Sequence, residues 1–350
     1  MVETVTLRPG YTCSRIIKGG WQLAGDHGAF DRREAIADMA RFLDAGITTF
    51  DCADIYTGVE EMIGAFIADI RRDRGAEAAE AINIHTKLVP DLGRLQTYSP
   101  ADVEAIVDRS LKRLNLERLH LVQFYWWDRS QGRPVETLAS LKELQAKGKI
   151  LHLGTTNWDS EAMTPFLQAG LDIVSAQVQY SVLDARPAGR FADWCASRNL
   201  SILCYGTLAG GFLTDHWLGK PDPGHVFENR SLVKYRLIID EFGGWDLFQD
   251  LLQALQTIAR KHNVTIGAVS SRWSLDQDQV GAVIVGARTA RHLDATLAID
   301  TLRLDDEDRA ALDAVLSRRT GPVGPVYGLE GDRTGRHGRI MKYNLGTAPA

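Results

Sequence analysis

The stretch FDCADIYTGVEEMIG, residues 50–64, decides the interpretation of the fold. An apolar run of strand length over residues 47–50 turns polar at Asp51 and reaches Tyr56 at the head of a helical pattern. If the run is a strand of a parallel barrel, both side chains lie at the C-terminal rim, where barrel enzymes keep their chemistry. The alternative is that Asp51 caps the next helix and Tyr56 packs as a wall residue.

A lysine at the end of the next strand-like run favours the interpretation as a site. Lys87 follows residues 82–86 and precedes Pro90, so in a barrel it lies on the neighbouring strand at the same rim. Asp51 can hold Lys87 as a cation, and this cation is expected to lower the pKa of Tyr56 from about 10 toward neutral pH. Such a phenol is a general acid that can protonate a carbonyl oxygen as hydride arrives, or deprotonate an alcohol in reverse.

Asp51, Tyr56 and Lys87, in this order and spacing, resemble the catalytic motif of the aldo-keto reductase superfamily. The resemblance extends over about residues 14–314. It implies a (β/α)8 TIM barrel, an NADPH/NADP cofactor, and oxidoreductase chemistry on a small carbonyl or alcohol. The family usually has a histidine at the end of the fourth strand, where this chain has Tyr125. We expect Tyr125 to act as the fourth catalytic residue; the alternative is an aromatic wall, with Trp126 and Trp127, for a sugar or aryl ring.

The rest of the chain supports a barrel, because eight strand-like runs alternate with helical patterns. The runs are residues 15–19, 47–50, 82–86, 119–125, 150–154, 173–178, 201–205 and 280–285. An N-terminal hairpin strand over residues 2–7 is predicted to plug the barrel floor. We predict a single domain over 1–350, with the barrel at about 14–314 and a tail at 315–350.

Three segments lie outside this alternation. Residues 71–81 are predicted to be a charged, solvent-facing connection. Residues 214–245, after strand seven, are predicted to be a long irregular loop and a lid over the cofactor, in which Arg230, Lys234 and Arg236 either meet a phosphate or form a solvated basic face. The tail from residue 320 either covers the barrel mouth or is a loose terminus, and its composition favours the loose terminus.

The resemblance also implies a set of cofactor contacts. A glycine loop follows strand one, one amide ends strand five and another lies inside strand six, and an aromatic residue ends strand seven, before a loop that would wrap the pyrophosphate. Beside the rim carboxylate Asp51, the implied nicotinamide and pyrophosphate contacts are Gly20, Trp21, Thr156, Asn157, Gln177, Tyr205, Gly206, Thr207, Leu208 and Gly210. The alternative for the amides is that they only tie loops together, and for Trp21 that it is a rim packing residue.

The segment VIVGARTARHLDATL, residues 283–297, has the pattern of strand, glycine turn and helix N-terminus that binds anions. Barrels often bind phosphate after strands seven and eight. The implied contacts are Gly286, Ala287, Arg288, Thr289, His292 and Thr296, the last two standing where the family usually has Gln and Asn. Arg288 and Thr289 suit the 2′-phosphate of NADP, which favours NADPH over NADH; alternatively, Arg288 pairs with Asp294. The absence of GxGxxG after a strand excludes a Rossmann domain.

Composition restricts the class of protein. With 45% hydrophobic and 24% charged residues and a net charge of -5, the chain has the composition of a soluble globular protein, with no general affinity for nucleic acid or membrane surfaces. The four cysteines lack CxxC spacing and no apolar N-terminal signal is evident, so we expect a cytoplasmic protein. No apolar run approaches the ~20 residues of a membrane span. The histidines lack zinc-ligand spacing, so no metal is expected.

The leading hypothesis is therefore an NADP(H)-dependent oxidoreductase that interconverts an aldehyde, ketone or sugar with its alcohol. One alternative is a dehydrogenase of a sugar or aryl alcohol. The other, which the missing histidine suggests, is an NADPH-binding regulatory subunit with little turnover. The sequence leaves the oligomeric state open.

Overall fold

The computed structural model describes residues 2–25 and 28–346. Its strands are β1 (Thr4–Arg8), β2 (Tyr11–Ser14), β3 (Ile16–Gly19), β4 (Thr49–Asp51), β5 (Asn83–Leu88), β6 (Leu119–Phe124), β7 (Ile150–Thr156), β8 (Ile173–Gln179), β9 (Ser201–Tyr205) and β10 (Val280–Gly286). Its α-helices are α1 (Arg32–Asp44), α2 (Val59–Arg74), α3 (Ala76–Glu80), α4 (Pro100–Leu114), α5 (Pro134–Ala146), α6 (Ser160–Gln168), α7 (Arg190–Ala196), α8 (Arg230–Phe242), α9 (Gly244–His262), α10 (Ile266–Leu275), α11 (Leu293–Thr301), α12 (Asp306–Leu316) and α13 (Gly328–Gly331).

The strands from β3 to β10 form a closed, parallel barrel in chain order, and β10 pairs with β3 to complete it. The predicted (β/α)8 barrel is confirmed. Every residue of β8 is buried, as expected for a parallel strand covered on both faces. The register places Asp51 opposite His85 and Lys87 opposite Gln123, so polar side chains of neighbouring strands meet inside the barrel.

The hairpin of β1 and β2 closes the amino end of the barrel. Its two strands pair antiparallel, and Leu7, Tyr11 and Cys13 pack against barrel residues such as Ile17 and Leu121 in one apolar cluster. These contacts confirm the predicted hairpin at the barrel floor. The strand begins two residues later than predicted and continues to Arg8.

The prediction of an irregular segment over residues 214–245 is wrong in its second half, which contains α8. The side chain of Asn229 accepts a hydrogen bond from the Leu232 N–H at 3.0 Å and so caps the start of the helix. Apolar residues at helical spacing, Tyr235, Ile238 and Phe242 among them, are buried. The Gly, Pro and charged residues around the segment masked this periodicity.

The charged connection over residues 71–81 is exposed as predicted, but it is largely helical. The last turn of α2 extends to Arg74, and α3 follows after Gly75. The side chain of Ala79 is buried, which anchors the short helix to the barrel layer.

The preference for a loose C-terminal tail is wrong for the described residues. Glu330 is buried, and its two carboxylate oxygens accept hydrogen bonds from Arg186 at 2.9 and 3.0 Å. Further along, the Leu92 N–H donates to the Tyr343 carbonyl at 2.8 Å, and the Gly346 N–H donates to Asp91 at 2.8 Å. These long-range bonds hold the tail across the barrel mouth; the last four residues of the predicted tail, 347–350, lie outside the described residues.

Candidate active site

A buried ion pair stands at the carboxyl end of β4 and β5. The Lys87 ammonium lies 2.6 Å from Asp51 Oδ1 and also donates to the Cys52 carbonyl at 2.8 Å. Each of the two paired side chains is only 6% exposed. Burial is the largest single influence and lowers the pKa of Lys87, but Asp51, Tyr56 and Cys52 together raise it by more, so the net pKa lies above its ordinary value. Lys87 is therefore held as a cation.

Two buried amides complete the hydrogen bonding of Asp51. Gln177 Nε2 donates to Asp51 Oδ2 at 2.6 Å, and Gln123 Nε2 donates to the same oxygen at 3.1 Å. Gln177 was among the predicted contacts, whereas Gln123 was not predicted. Side chains alternate along a strand, so Gln123, two residues before Tyr125, lies on the same face of its strand; this spacing was the available signal.

Tyr56 follows the strand end and lies against the ion pair. The Lys87 ammonium is 5.1 Å from the centre of the Tyr56 ring, and Trp21 packs on Tyr56 with ring centres 5.0 Å apart. Burial raises the pKa of Tyr56, and the opposing effect of Lys87 is smaller, so the net pKa lies above 10. The expectation that Lys87 brings the phenol toward neutral pH is wrong, because the cost of burying a phenolate is larger than the attraction of one cation already paired with Asp51.

Tyr125, at the predicted histidine position, directly follows β6 and faces the same cavity. It is 5% exposed and packs edge-to-face against Trp127 and Tyr327, with ring centres 4.7 and 5.9 Å apart. Burial and the neighbouring Tyr327 raise the pKa of Tyr125 well above 10, so its hydroxyl keeps its proton. The contact with Tyr327, a residue of the C-terminal tail, was not foreseen.

These groups line a cavity of about 420 Å³ at the carboxyl end of the barrel. Its wall combines barrel loops, the start of α8 and the C-terminal tail. From the predicted set, the wall contains Trp21, Asp51, Tyr56, Lys87, Tyr125, Thr156, Asn157, Gln177, Tyr205, Gly206, Thr207, Leu208, Gly210 and Gly286. The residues that the tail adds are Tyr327, Ile340, Met341, Lys342 and Leu345.

The expected nicotinamide contacts form one hydrogen-bonded group. The Tyr205 hydroxyl donates to Asn157 Oδ1 at 2.8 Å, and the Thr156 hydroxyl donates to Gln177 Oε1 at 3.4 Å. The Asn157 backbone is left-handed, with φ of 63°, and its N–H donates to the Gln177 carbonyl at 2.9 Å. The structure thus brings these four residues together beside Asp51.

Two glycines of the loop after β9 are needed because the Tyr235 side chain of α8 packs directly on them. A Cβ at Gly206 would lie 2.3 Å from the Tyr235 hydroxyl oxygen, and one at Gly210 would lie 2.9 Å from the Tyr235 ring. Both residues have positive φ. In this loop, which was expected to wrap the pyrophosphate, the group that closely approaches both glycines is thus the Tyr235 side chain of α8. Thr207 is also bonded within the protein, with its hydroxyl 2.9 Å from that of Ser271.

In the loop after β3, Gly20 and Trp21 likewise contact other parts of the protein. A Cβ at Gly20 would lie 2.8 Å from the Asp51 carbonyl, so this glycine lets two barrel strands pack closely and is not part of the cavity wall. Trp21 is part of the wall, and its indole N–H donates to the Ser231 hydroxyl of α8 at 3.1 Å. Trp21 thereby joins the barrel rim to the helix that covers it.

The predicted anion site after β10 contains a protein carboxylate. The Ala290 N–H, at the start of the helical segment, donates to Asp38 Oδ2 at 2.7 Å. Thr296 is buried and its hydroxyl donates to the His292 carbonyl of its own helix at 3.0 Å, so the structure does not direct it to a ligand. Ala287, Thr289 and His292 lie outside the cavity wall, as does Arg288, which is exposed beside this turn.

The three cations considered for phosphate binding are in different surroundings. Arg236 is buried and paired with Asp222 and Asp240, so it stabilises α8. Arg230 and Lys234 line the cavity instead. Burial lowers the pKa of Lys234, whose ammonium lies 4.9 Å from the centre of the Tyr205 ring.

Two further observations concern the metal and membrane predictions. His262, Asp305 and Asp308 bring their ligand atoms within 4.8 Å of one another, but the Lys261 ammonium already contacts both carboxylates, at 2.7 and 2.9 Å. The group is thus an ion-paired cap at the start of α12. Among the described residues, no helix has the length and apolar character needed to cross a membrane.

Comparison with known proteins agrees with this architecture. The Aldo/keto reductase family model matches residues 15–317. The aldo-keto reductase YhdN of Bacillus subtilis (strain 168) is 28% identical over 331 residues, covering 91% of this chain and 95% of the relative. The NADH-specific methylglyoxal reductase of Escherichia coli (strain K12) is 25% identical over 315 residues, covering 85% and 93%. The solved structure of the glycerol dehydrogenase AKR11B4 from Gluconobacter oxydans superposes with a TM-score of 0.75 at 25% identity, covering 92% and 98%.

The fold and the rim site define a barrel oxidoreductase. The chain belongs to the Aldo/keto reductase family, whose model covers most of its length. It is thus an enzyme of the aldo-keto reductase type, and carbonyl and alcohol redox chemistry is its class of reaction.

Proposed function

We propose that the enzyme interconverts an aldehyde, ketone or sugar with its alcohol, with NADP(H) as the hydride carrier and Tyr56 as general acid and base. The observation that carries the proposal is the buried Asp51–Lys87 pair, with the Lys87 ammonium 5.1 Å from the Tyr56 ring in the wall of the cavity. A phenol beside a fixed cation can lose and regain a proton in an otherwise apolar site.

Each protein group then has a separate task. Tyr56 carries its proton at neutral pH, since burial raises its pKa, and it gives that proton to the substrate oxygen during reduction. Lys87 stabilises the phenolate that remains, because its charge is already in place. Asp51 holds Lys87, and the amides of Gln123 and Gln177 hold Asp51. Tyr125 supplies a second hydroxyl toward the substrate oxygen in place of the family's histidine.

The residues present fit a dinucleotide. Thr156, Asn157 and Gln177 offer amide and hydroxyl groups in the cavity wall, and Tyr205 offers a ring. These groups suit a carboxamide and a flat ring, and Arg230 at the cavity wall suits a pyrophosphate. When bound, the reduced nicotinamide supplies the hydride. We prefer NADPH because Arg288 is an exposed cation beside the turn after β10, although the E. coli relative is named for NADH.

The Tyr56 role is tested with Tyr56→Phe and a panel of aldehydes, ketones and sugars. We expect turnover to fall at least ~100-fold, the low end of what a positioned general acid contributes, with nearly unchanged NADPH affinity. The matched control is Tyr180→Phe, which removes the hydroxyl of a buried tyrosine outside this cavity. Unchanged turnover in Tyr56→Phe would remove Tyr56 from the mechanism. Tight NADPH binding by the wild type without turnover across the panel would favour a regulatory subunit.

The cofactor preference is tested with Arg288→Ala. We expect this substitution to weaken NADPH much more than NADH, because a charge-assisted contact to the 2′-phosphate exists in only one cofactor. Protein fluorescence titration with both cofactors measures the effect. Arg291→Ala, an exposed arginine three residues away, is the control for general loss of positive charge. Equal weakening of both cofactors by Arg288→Ala would contradict the assignment.

We also propose a cytoplasmic location and small-molecule partners. The four cysteines, which are buried free thiols, are compatible with a reducing compartment. The net charge of -5 supports the proposal that nucleic acid is not a partner.

A further inference from the structure

The cavity wall is strongly positive although the whole chain is negative. The charged side chains in the described wall are one carboxylate, Asp51, and four cations, Lys87, Arg230, Lys234 and Lys342. Asp51 is already committed to Lys87 at 2.6 Å. An excess of positive charge in a largely apolar cavity attracts anionic groups. Arg230 is proposed above for the cofactor pyrophosphate, so Lys234 is the cation to consider for another anionic group.

Lys234 is the cation whose surroundings are most informative. Its ammonium lies over two aromatic faces, 4.9 Å from the centre of the Tyr205 ring and 5.3 Å from that of Tyr235. Within the described part of the chain, this ammonium has ring contacts but no hydrogen bond or ion pair. Glu330 is close enough to act on it electrostatically, but both Glu330 oxygens are bonded to Arg186. The N–H donors of a half-buried cation are thus available to a ligand, and leaving them unbound is costly.

The position of Lys234 favours a substrate group over the cofactor phosphates. Lys234 lies over Tyr205, whose hydroxyl is bonded to Asn157, and both residues belong to the proposed nicotinamide end, where the reacting carbonyl must be. In the tail, Tyr327 packs on Tyr125, and Glu330, three residues later, acts electrostatically on Lys234. The proposed 2′-phosphate cation, Arg288, follows β10 and is outside the cavity wall.

We propose that Lys234 binds a carboxylate of the substrate, and that the enzyme acts on carbonyl compounds which carry an acid group. The inference rests on the carbonyl chemistry proposed above and specifies its substrate class. The ammonium lies over the Tyr205 and Tyr235 rings, an aromatic setting that suits a carboxylate at the end of an apolar or aromatic substrate. Lys234 is in this sense a specificity-determining residue and takes no part in the hydride or proton transfer.

The test compares 4-carboxybenzaldehyde with its methyl ester, two aldehydes of nearly the same shape that differ in charge. With the full-length protein and NADPH, we expect the wild type to have the higher kcat/KM for the acid. Lys234→Met should lower the acid-to-ester ratio of kcat/KM by about 10- to 100-fold, the factor that one hydrogen bond to a charged group contributes. The change should be in KM for the acid, while kcat and the ester constants stay near their wild-type values.

Two further variants separate recognition from general effects. Lys234→Arg keeps the charge and should retain part of the preference for the acid. Lys112→Met removes an exposed lysine on α4 and should leave the ratio unchanged. The dissociation constant of NADPH, measured by protein fluorescence, should be nearly the same in the wild type and in Lys234→Met.

The outcomes distinguish this inference from the proposed function. Equal reduction of acid and ester by the wild type would overturn the role of Lys234 and leave the carbonyl chemistry standing. Weakened NADPH binding in Lys234→Met with an unchanged ratio would assign Lys234 to the cofactor and also overturn it. If the wild type reduces neither aldehyde, the proposed function fails for this substrate class; calorimetric binding of 4-carboxybenzyl alcohol and its methyl ester to the NADPH-loaded protein then decides the role of Lys234.

Discussion

At the carboxyl end of the barrel interior, the charged pair of Asp51 and Lys87 faces a cavity. Toward the amino end, by contrast, His85 is buried against the hairpin of β1 and β2. Asp51 and His85 are direct partners in the register of β4 and β5. The Tyr11 hydroxyl is 2.9 Å from His85 Nε2, and burial lowers the pKa of His85 to about 3. Asp51 thus stays charged because Lys87 and two amides bind it. His85 is neutral, and the Tyr11 hydroxyl contacts it at the floor of the barrel.

This difference between rim and floor indicates that the two ends of the barrel interior have different roles, the rim in the reaction and the floor in stability. The rim carries groups whose charge the proposed reaction uses, and their removal should reduce the rate. The floor carries a group that is neutral in the folded protein, and its protonation should lower the free energy of unfolding.

Lys87→Met should have the largest effect, a loss of turnover of at least ~100-fold and an altered pH profile, because the Tyr56 phenolate would lose its neighbouring cation. The measurement is kcat/KM against pH with one good substrate. His85→Gln, which changes a buried group at the floor, is the matched control and should keep turnover near the wild-type value. A Lys87→Met enzyme with unchanged rate and profile would mean that Lys87 has only a structural role.

Acid should destabilise the protein through the floor. The pKa of His85 is about 6.5 when unfolded and about 3 when folded, so between these values the unfolded chain binds the proton and the folded one does not. The free energy of unfolding should therefore fall as pH falls below 6.5, by about 1.4 kcal/mol per pH unit from this residue at the steepest. Above pH 6.5 the residue should contribute no pH dependence.

Denaturant unfolding at several pH values measures this slope, and His85→Gln should reduce it. His120, whose pKa burial lowers to about 4, should leave a residual slope. The exposed His216, changed to Gln, is the control and should leave the slope as it is. Identical slopes in the wild type and in His85→Gln would contradict the division between rim and floor.

Glu330→Gln should weaken the attachment of the C-terminal tail to the barrel mouth. Burial raises the pKa of Glu330, but Arg186 and Lys234 lower it to a net value of about 2, so the carboxylate is charged. Its loss leaves Arg186 with Asp184 alone, and we expect the free energy of unfolding to fall by about 1–3 kcal/mol. Limited proteolysis should cut the tail sooner. Glu307→Gln, an 86% exposed carboxylate, is the control; equal protease resistance in all three proteins would show that other contacts hold the tail.

Tyr125→Phe should have the smallest effect, a loss of rate of about tenfold, close to the contribution of one neutral hydrogen bond. The expected reason is the loss of a second donor to the substrate oxygen. Tyr125→His, measured with the same substrate, restores the residue usual in the family. A silent Phe variant together with a faster His variant would show that Tyr125 is an aromatic wall and no substitute for the histidine.

The sequence alone was sufficient to predict the barrel and the proximity of Asp51, Tyr56 and Lys87. Strand-length apolar runs alternate regularly with helices, and parallel strands end at one rim, so residues that end neighbouring strands must meet. Both rules depend on local pattern and chain order. The hairpin at the floor followed from the same kind of local signal.

Only the tertiary structure decided which segments cover the site and whether the pKa of Tyr56 is raised or lowered. The helix α8, the docking of Glu330 on Arg186 and the place of Lys234 over Tyr205 depend on contacts between residues far apart in the chain. The pKa of Tyr56 depends on how completely the folded chain excludes water from it, and that burial outweighs Lys87. Neighbouring residues determine whether a segment can be a strand or a helix, but the depth at which a side chain is buried depends on the whole fold.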